Sequence, residues 1–244
     1  IGFKDPRTEE GELLSPSRVG RKTIEELKIA LGTYGTAGQL QQRPSAREGN
    51  MFKIDNLNII NEIVEKNVKK RWRSWDKAGT EGGGAWTVGL RMGKYRNARK
   101  NGSFDENGKE RKSKYFIDSV IRGQWSSGNR ERRIQETSEV DSKKVWIVIE
   151  QEPGSGGLES AEATSKGLIG RHVDLERPTG DKEARADPLS VVVENGEVDI
   201  LRSTWTFDFI EEMRHFPQSK FKDQIDAASQ AFNKLSVAGR VHIG

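Results

Sequence analysis

The sequence predicts an α/β domain built on a mixed β-sheet, and three observations carry the prediction. Short β-branched or aromatic runs, above all VWIVIE at 145–150, read as strands. Stretches with apolar residues every three or four positions read as helices. The two kinds alternate along the chain instead of falling into separate blocks, which places helices over a partly parallel sheet.

Taken in order, residues 1 to about 50 are rich in Gly, Pro, Ser, Thr and charge and read as a connecting arm. One helix signal stands in it: Thr23 as N-cap, Glu26 three residues on, then Leu27, Ala30 and Leu31. Leu57, Ile60, Ile63 and Val68 recur at helical intervals among several Asn residues. Residues 71–78 (RWRSWDKA), 85–92 (AWTVGLRM) and 114–125 (KYFIDSVIRGQW) read as three strands. The second and third are joined by a polar basic loop or extended hairpin with turn signals at Asn101-Gly102 and Asn107-Gly108. A charged helix over 127–140 precedes the 145–150 strand, whose continuous apolar character suits burial on both faces. A break at Pro153–Gly157, a helix at 158–166 and a further buried strand at 171–176 follow. Asn195-Gly196 between 190–194 and 197–201 predicts a hairpin, and helices at 206–215 and 221–235 end the domain. In the last, Ile225, Ala228, Phe232 and Leu235 share one face.

Composition narrows the chemistry. Charged residues make up 32% of the 244 residues and hydrophobic ones 33%, no stretch approaches 18 apolar residues, and the chain starts at Ile1 without a signal-peptide pattern. The reading is a soluble piece of a longer chain, with no membrane partner. There is no cysteine, and His172, His215 and His242 lack metal-ligand spacing. Any bound metal must then be held by carboxylates, which selects a hard cation such as Mg2+ or Mn2+. From Lys66 to Lys100 eleven Lys and Arg face two acids, a net of +9 against +4 for the whole chain, so the remainder carries −5. Such a concentration suits a polyanion or forms a solvated face.

Four carboxylates stand out. Asp76 sits in a β-prone segment where Asp is disfavoured; it either marks a site or ends the strand and pairs with Lys77 or Arg73. Glu150 closes the most hydrophobic strand, at the carboxyl end where α/β sheets gather ligands, or simply terminates it. Asp223 and Asp226 are three apart near a helix start, on one surface, either for function or as helix caps. Together they are what a cysteine-free chain needs to hold two divalent cations for phosphodiester hydrolysis. There is no GxxxxGK[ST] and no GxSxG, and Gly154-Ser155-Gly156-Gly157 lacks the lysine of a phosphate loop. Trp72, Trp75, Trp86 and Trp146 read as core; Trp125 is open to core or base stacking.

Several blocks are collinear with a known family: GQLQQRPSAREGNMFK at 38–53, RSWDKA at 73–78, VIRGQW at 120–125, RERRI at 130–134, VIEQEPGSGG at 148–157, PTGDKEARADPL at 178–189 and HFPQSKFKDQIDAASQAF at 215–232. In these the chain resembles the nuclease domain of the large subunit of tailed-bacteriophage terminases, the genome-packaging motor protein. The resemblance implies an RNase H-like mixed sheet flanked by helices over residues 61–240. Residues 1–60 would be a linker or remnant following an ATPase domain. It implies a two-metal, Mg2+ or Mn2+, endonuclease cutting concatemeric viral DNA, with double-stranded DNA, the ATPase domain, the small terminase subunit and the portal as partners, in the host cytoplasm. The family's acids fall on Asp76, Glu150 and Asp223, with Asp226 as a further metal ligand. Lys222 replaces the usual first acid of the helix pair. Arg91, Lys94, Arg96, Arg99 and Lys100 are the candidate contacts to DNA phosphates. Two alternatives remain: another RNase H-like enzyme of junction-resolvase or integrase type, or a noncatalytic DNA-binding or motor-interaction module.

Overall fold

A computed structural model describes residues 13, 15–35, 40, 51–78, 81–105, 107–152 and 154–237. The chain divides into two compact units, 1–48 and 49–244. Much of the predicted arm, and Pro153, lie outside the described residues. The first unit contains α1 (Arg21–Gly35). It starts ahead of Thr23, so Thr23 belongs to the first turn and is not the N-cap; Ile24 N–H already bonds Gly20 O at 3.1 Å.

The second unit is a seven-stranded sheet in the order β1-β7-β4-β3-β2-β5-β6. Its strands are β1 (Asn58–Ile60), β2 (Val68–Asp76), β3 (Thr87–Phe104), β4 (Glu110–Gly123), β5 (Val145–Glu150), β6 (Val173–Glu176) and β7 (Val198–Leu201). Only β3 runs antiparallel to its neighbours, β2 and β4; the other pairings are parallel. The predicted mixed sheet is therefore present. Its helices are α2 (Ser127–Val140), α3 (Ser155–Gly167), α4 (Lys182–Glu194), α5 (Thr206–His215) and α6 (Asp223–Val237).

Side-chain alternation along the strands divides the core in two. Trp72 and Val148 join Leu90, Met92, Phe209, Ile225 and Phe232 under α4, α5 and α6. Trp75, Ile147 and Ile149 meet Ile134, Ala161 and Leu168 under α2 and α3 on the opposite face. Gly89 of β3 makes the close packing of Trp75 possible, because a Cβ there would lie 2.5 Å from the indole ring. Gly89→Ala should therefore destabilise the domain by about 1–3 kcal/mol, measured as a lower urea midpoint; an unchanged midpoint would mean the ring moves freely.

Four readings change. Residues 57–68 are not a helix but β1 followed by a 3-10 turn at Glu65–Asn67. The Asn side chains that weaken a helix are used laterally: Asn56 donates to Glu194 O (2.6 Å) and Asn58 to Asp199 Oδ1 (2.9 Å). Residues 51–60, assigned from sequence to the linker, supply buried Phe52 and strand β1 to the second unit. β6 lies at the sheet edge and is only half-buried, not enclosed on both faces. Asn195-Gly196 does not turn a hairpin: residues 182–194 are α4, and Gly196 at φ 67° ends it. Glu197 N–H bonds Val192 O and Gly196 N–H bonds Val193 O, both at 2.9 Å, the Schellman pattern. A left-handed glycine serves a helix end as well as a hairpin, and the Val191–Val193 run made the strand reading attractive. The long basic connection is an extended hairpin of β3 and β4; Gly102 sits at a register shift, and the turn comes at Asp105–Lys109.

Candidate metal centre

Strand parity brings the acids together. Asp76 lies two and four residues beyond Ser74 and Trp72, and Glu150 two beyond Val148, so both side chains fall on the face covered by α6. β2 and β5 are parallel neighbours with Trp75 opposite Ile149, so both carboxylates emerge side by side at the carboxyl edge of the sheet. Helix α6 packs across β2 and β3 with Asp223 and Asp226 in its first turn. Ser74 Oγ donates to Gln230 Oε1 at 2.5 Å, tying β2 to α6 one turn past Asp226.

The alternative roles weighed for these acids go to other residues. Lys77 Nζ donates to Ser160 Oγ (2.7 Å), Ser160 O (2.9 Å) and Thr164 Oγ1 (2.9 Å), and Arg73 pairs with Asp141. Neither cation is Asp76's partner. The first turn of α6 is capped from α5 by Glu212, which accepts from Gln224 N–H (2.7 Å), Ile225 N–H (3.3 Å) and Gln224 Nε2 (2.6 Å). Asp223 is thereby released from capping its own helix and accepts the Trp86 N–H at 2.8 Å instead.

Electrostatics register the convergence. Burial pushes the Asp76 carboxyl well above the usual range, and the charges of Glu150, Asp226 and Asp223 push it further, against Lys182. Glu150 is also raised by burial and by Asp226 and Glu152, with Arg185 and Lys182 opposing. Asp223 is raised by burial and Asp226, opposed by the Trp86 N–H and Lys182. Burial works against the Lys182 ammonium, but its bond to Asp226 and the charges of Asp226, Asp76 and Asp223 hold its pKa above normal. Lys182 reaches Asp226 Oδ2, while the Arg185 guanidinium lies 3.4 Å from Asp226 Oδ1 and 3.6 Å from Glu150 Oε2.

With those two cations among them, no three of the described His, Cys, Asp or Glu side chains are arranged to hold one metal ion. The donor set nonetheless fits a hard divalent cation: it is all carboxylate oxygen, and three of its members carry pKa values raised by burial and mutual repulsion.

The candidate DNA contacts lie elsewhere. Arg91 donates to Asp118 Oδ1 (2.7 Å) and Asp141 Oδ1 (2.6 Å), and Arg99 to Asp199 Oδ2 (2.9 Å). Lys100 pairs with Glu110 at 3.0 Å, Lys94 lies over the Tyr115 ring, and Arg96 is exposed. Lys94 is opposite Lys70, six residues before Asp76, and so roughly 20 Å from the acids along the strands; Arg96, Arg99 and Lys100 lie further along the same hairpin. Arg91 and Arg99 are thus committed to internal carboxylates, which makes them structural, and the set as a whole stands away from the acid cluster. Lys182, Arg185 and Glu212 were not singled out from the sequence. The only signal for the first two was their place in the PTGDKEARADPL block.

Trp72 and Trp75 are buried, as read; Trp86 and Trp146 are half-buried against the same core, and Trp125 packs its ring on Gly123. Gly154 is the N-cap of α3. Among the described residues no helix is long and apolar enough to cross a membrane.

Residues 127–235 match the family model described as Terminase RNaseH-like domain, a segment that includes Glu150, Asp223 and Asp226 but not Asp76. No curated protein matches the chain. Among solved structures, the large terminase nuclease from thermophilic phage G20c aligns with a TM-score of 0.50 at 12% identity, covering 76% of this chain and 98% of that one. The same nuclease described with bound magnesium gives 0.53 at 11% identity, over 78% and 99% of the two chains. With bound zinc it gives 0.52 at 13%, over 75% and 98%. At such identities the likeness concerns the fold, which is RNase H-like, while over residues 127–235, somewhat less than half of the chain, the sequence is similar to the Terminase RNaseH-like domain family.

Proposed function

We propose that the chain is a divalent-metal-dependent DNA endonuclease that cuts concatemeric viral DNA during genome packaging. The observation that carries the reading is the convergence of Asp76, Glu150, Asp223 and Asp226, from two strand ends and one helix, at the carboxyl edge of the sheet. The similar nuclease is described with bound magnesium and with bound zinc, which supports a divalent cation here. Asp76 and Asp223 would hold one ion of a pair, Glu150 the second, and Asp226 would assist. Bound there, Mg2+ or Mn2+ supplies Lewis acidity toward the phosphodiester and readies a water for attack. The chain's own contribution is position. Ser74–Gln230 and the Glu212 cap fix α6, the Trp86 N–H orients the Asp223 carboxylate, and the parallel β2–β5 pairing fixes the other two acids.

Three cations of the β3–β4 hairpin, half-buried Lys94 and exposed Arg96 and Lys100, would follow the duplex away from the cut. The motor's ATPase domain, small terminase subunit and portal are the expected partners, in the cytoplasm of the infected host, with residues 1–48 as the connection to the ATPase domain.

The test is supercoiled plasmid incubated with the protein and Mn2+ or Mg2+. Nicking is expected with the native protein, and its disappearance in EDTA, in Asp76→Ala and in Glu150→Ala. Binding without cleavage at any divalent concentration would favour a DNA-binding module, and cleavage confined to branched substrates a resolvase.

A further inference from the structure

The first turn of α4 sends two cations into the acid cluster. Lys182 and Arg185 are three apart and so share a helix face, and Asp181 fixes the turn by accepting the Ala184 N–H at 2.6 Å. Both cations converge on Asp226, and Arg185 also faces Glu150.

These contacts are unequal in a way that matters. The Asp226 side chain is 3% exposed and that of Lys182 48%, so the carboxylate is held in place while the ammonium, on a flexible four-carbon stem, has solvent to swing into. Arg185 sits 3.4 and 3.6 Å from its two carboxylates, longer than the roughly 2.7–2.9 Å of a charge-assisted hydrogen bond. The Arg73–Asp141 pair of the same domain closes to 2.9 Å on both arms. Arg185 Nε is buried with no hydrogen-bond partner, so the guanidinium keeps a donor in reserve. A half-exposed lysine and a loosely held arginine are counter-ions that can be released.

Resting on the metal reading of the site, we infer that Lys182 and a divalent cation compete for Asp226, and that Lys182 and Arg185, once displaced, bind phosphate oxygens of the DNA at the site. A doubly charged ion replaces a singly charged one at the carboxylates, and the released positive charges need a new anion within reach. The phosphodiester is that anion. The consequence is reciprocal coupling: DNA raises the affinity for metal, and metal raises the affinity for DNA by the same factor.

The measurement is Mn2+ affinity of the whole chain without DNA, by titration calorimetry or from the electron paramagnetic resonance signal of free Mn2+. Lys182→Gln should bind Mn2+ about fivefold more tightly than the native protein, equivalent to about 1 kcal/mol. Lys182→Arg should stay near the native value. Lys166→Gln removes the same charge from an exposed lysine whose ion pair is with Glu162, and should change the affinity less than twofold. In an Asp226→Asn background Lys182→Gln should give no gain, because the shared carboxylate is gone. Thermal unfolding of each variant confirms that it folds. If the native protein binds Mn2+ and Lys182→Gln binds it no better, the inference is overturned and the metal reading stands. If neither binds Mn2+, both fall together.

Discussion

Asp76→Asn should lower plasmid cleavage by on the order of a thousandfold, about 4 kcal/mol of transition-state stabilisation, and yet raise the melting temperature in EDTA. The two effects have one cause. Asp76 is held beside Glu150, Asp223 and Asp226, where burial and like charge disfavour its ionised form. A group whose folded pKa is raised contributes stability that is full below its unfolded pKa and is lost as pH rises through the folded value. As pH rises from the ordinary carboxylate range the native protein loses that contribution; the Asn variant, which never ionises, does not. The expected gain is roughly 1 kcal/mol, or about 2–4 °C for a unit of this size. It should shrink toward zero as pH falls to the ordinary carboxylate range. Added Mn2+ should reverse the order, stabilising the native protein and not the variant. Calorimetric melts across pH, with and without Mn2+, check all of this. A variant less stable than the native protein in EDTA at neutral pH would show that the cluster stores no repulsion.

Asp141→Ala should cost about 3–5 kcal/mol of stability, read from urea unfolding, because it strands a buried guanidinium. Asp141 accepts both arms of Arg73 at 2.9 Å and Arg91 at 2.6 Å; Arg91 and Arg71 then share Asp118, and Arg71 ends the chain of charges on Glu65. Burial pushes the Asp141 carboxyl up, but the hydrogen bonds and charges of Arg73 and Arg91 outweigh it and leave it below the usual range. With a depressed folded pKa, its stabilisation is full above the unfolded carboxylate value and disappears as pH falls through the folded one. The native protein should therefore lose stability on the acid side below about pH 4, and Asp141→Asn should flatten that slope. The double replacement Arg73→Met with Asp141→Leu should cost much less than Asp141→Ala, since no charge is left buried alone. If it costs as much, the site matters for its shape and not for its charges.

Both results depend on residues whose types were visible in the sequence and whose partners were not. The β2, β4 and β5 strands were legible as short β-branched or aromatic runs, and α2, α5 and α6 by helix-compatible composition or an apolar stripe at the helical period, signals that are written locally. Asp76 and Glu150 could be picked out for the same reason: a carboxylate ending an apolar strand breaks the local pattern. The misreadings came where one local signal serves two structures. Asn195-Gly196 ends a helix with the same left-handed glycine that turns a hairpin, and that reading hid α4 with its Lys182 and Arg185. The eleven cations between Lys66 and Lys100 counted equally in the sequence, yet Arg73 and Arg91 are locked onto Asp141, about 50 to 70 residues away.

By itself the sequence determined the α/β alternation, the all-carboxylate character of any metal site, and, through strand parity, that Asp76 and Glu150 point the same way as their neighbours two residues back. Only the tertiary structure decided that β2 and β5 lie side by side, that α6 crosses β2 and β3, that Glu212 caps α6 so that Asp223 is released, and that Lys182 and Arg185 stand among the acids. Period and propensity arise from the sterics of a few adjacent residues. Pairing between segments 70 to 150 residues apart in the chain is set by which surfaces bury one another, and no local pattern encodes that choice.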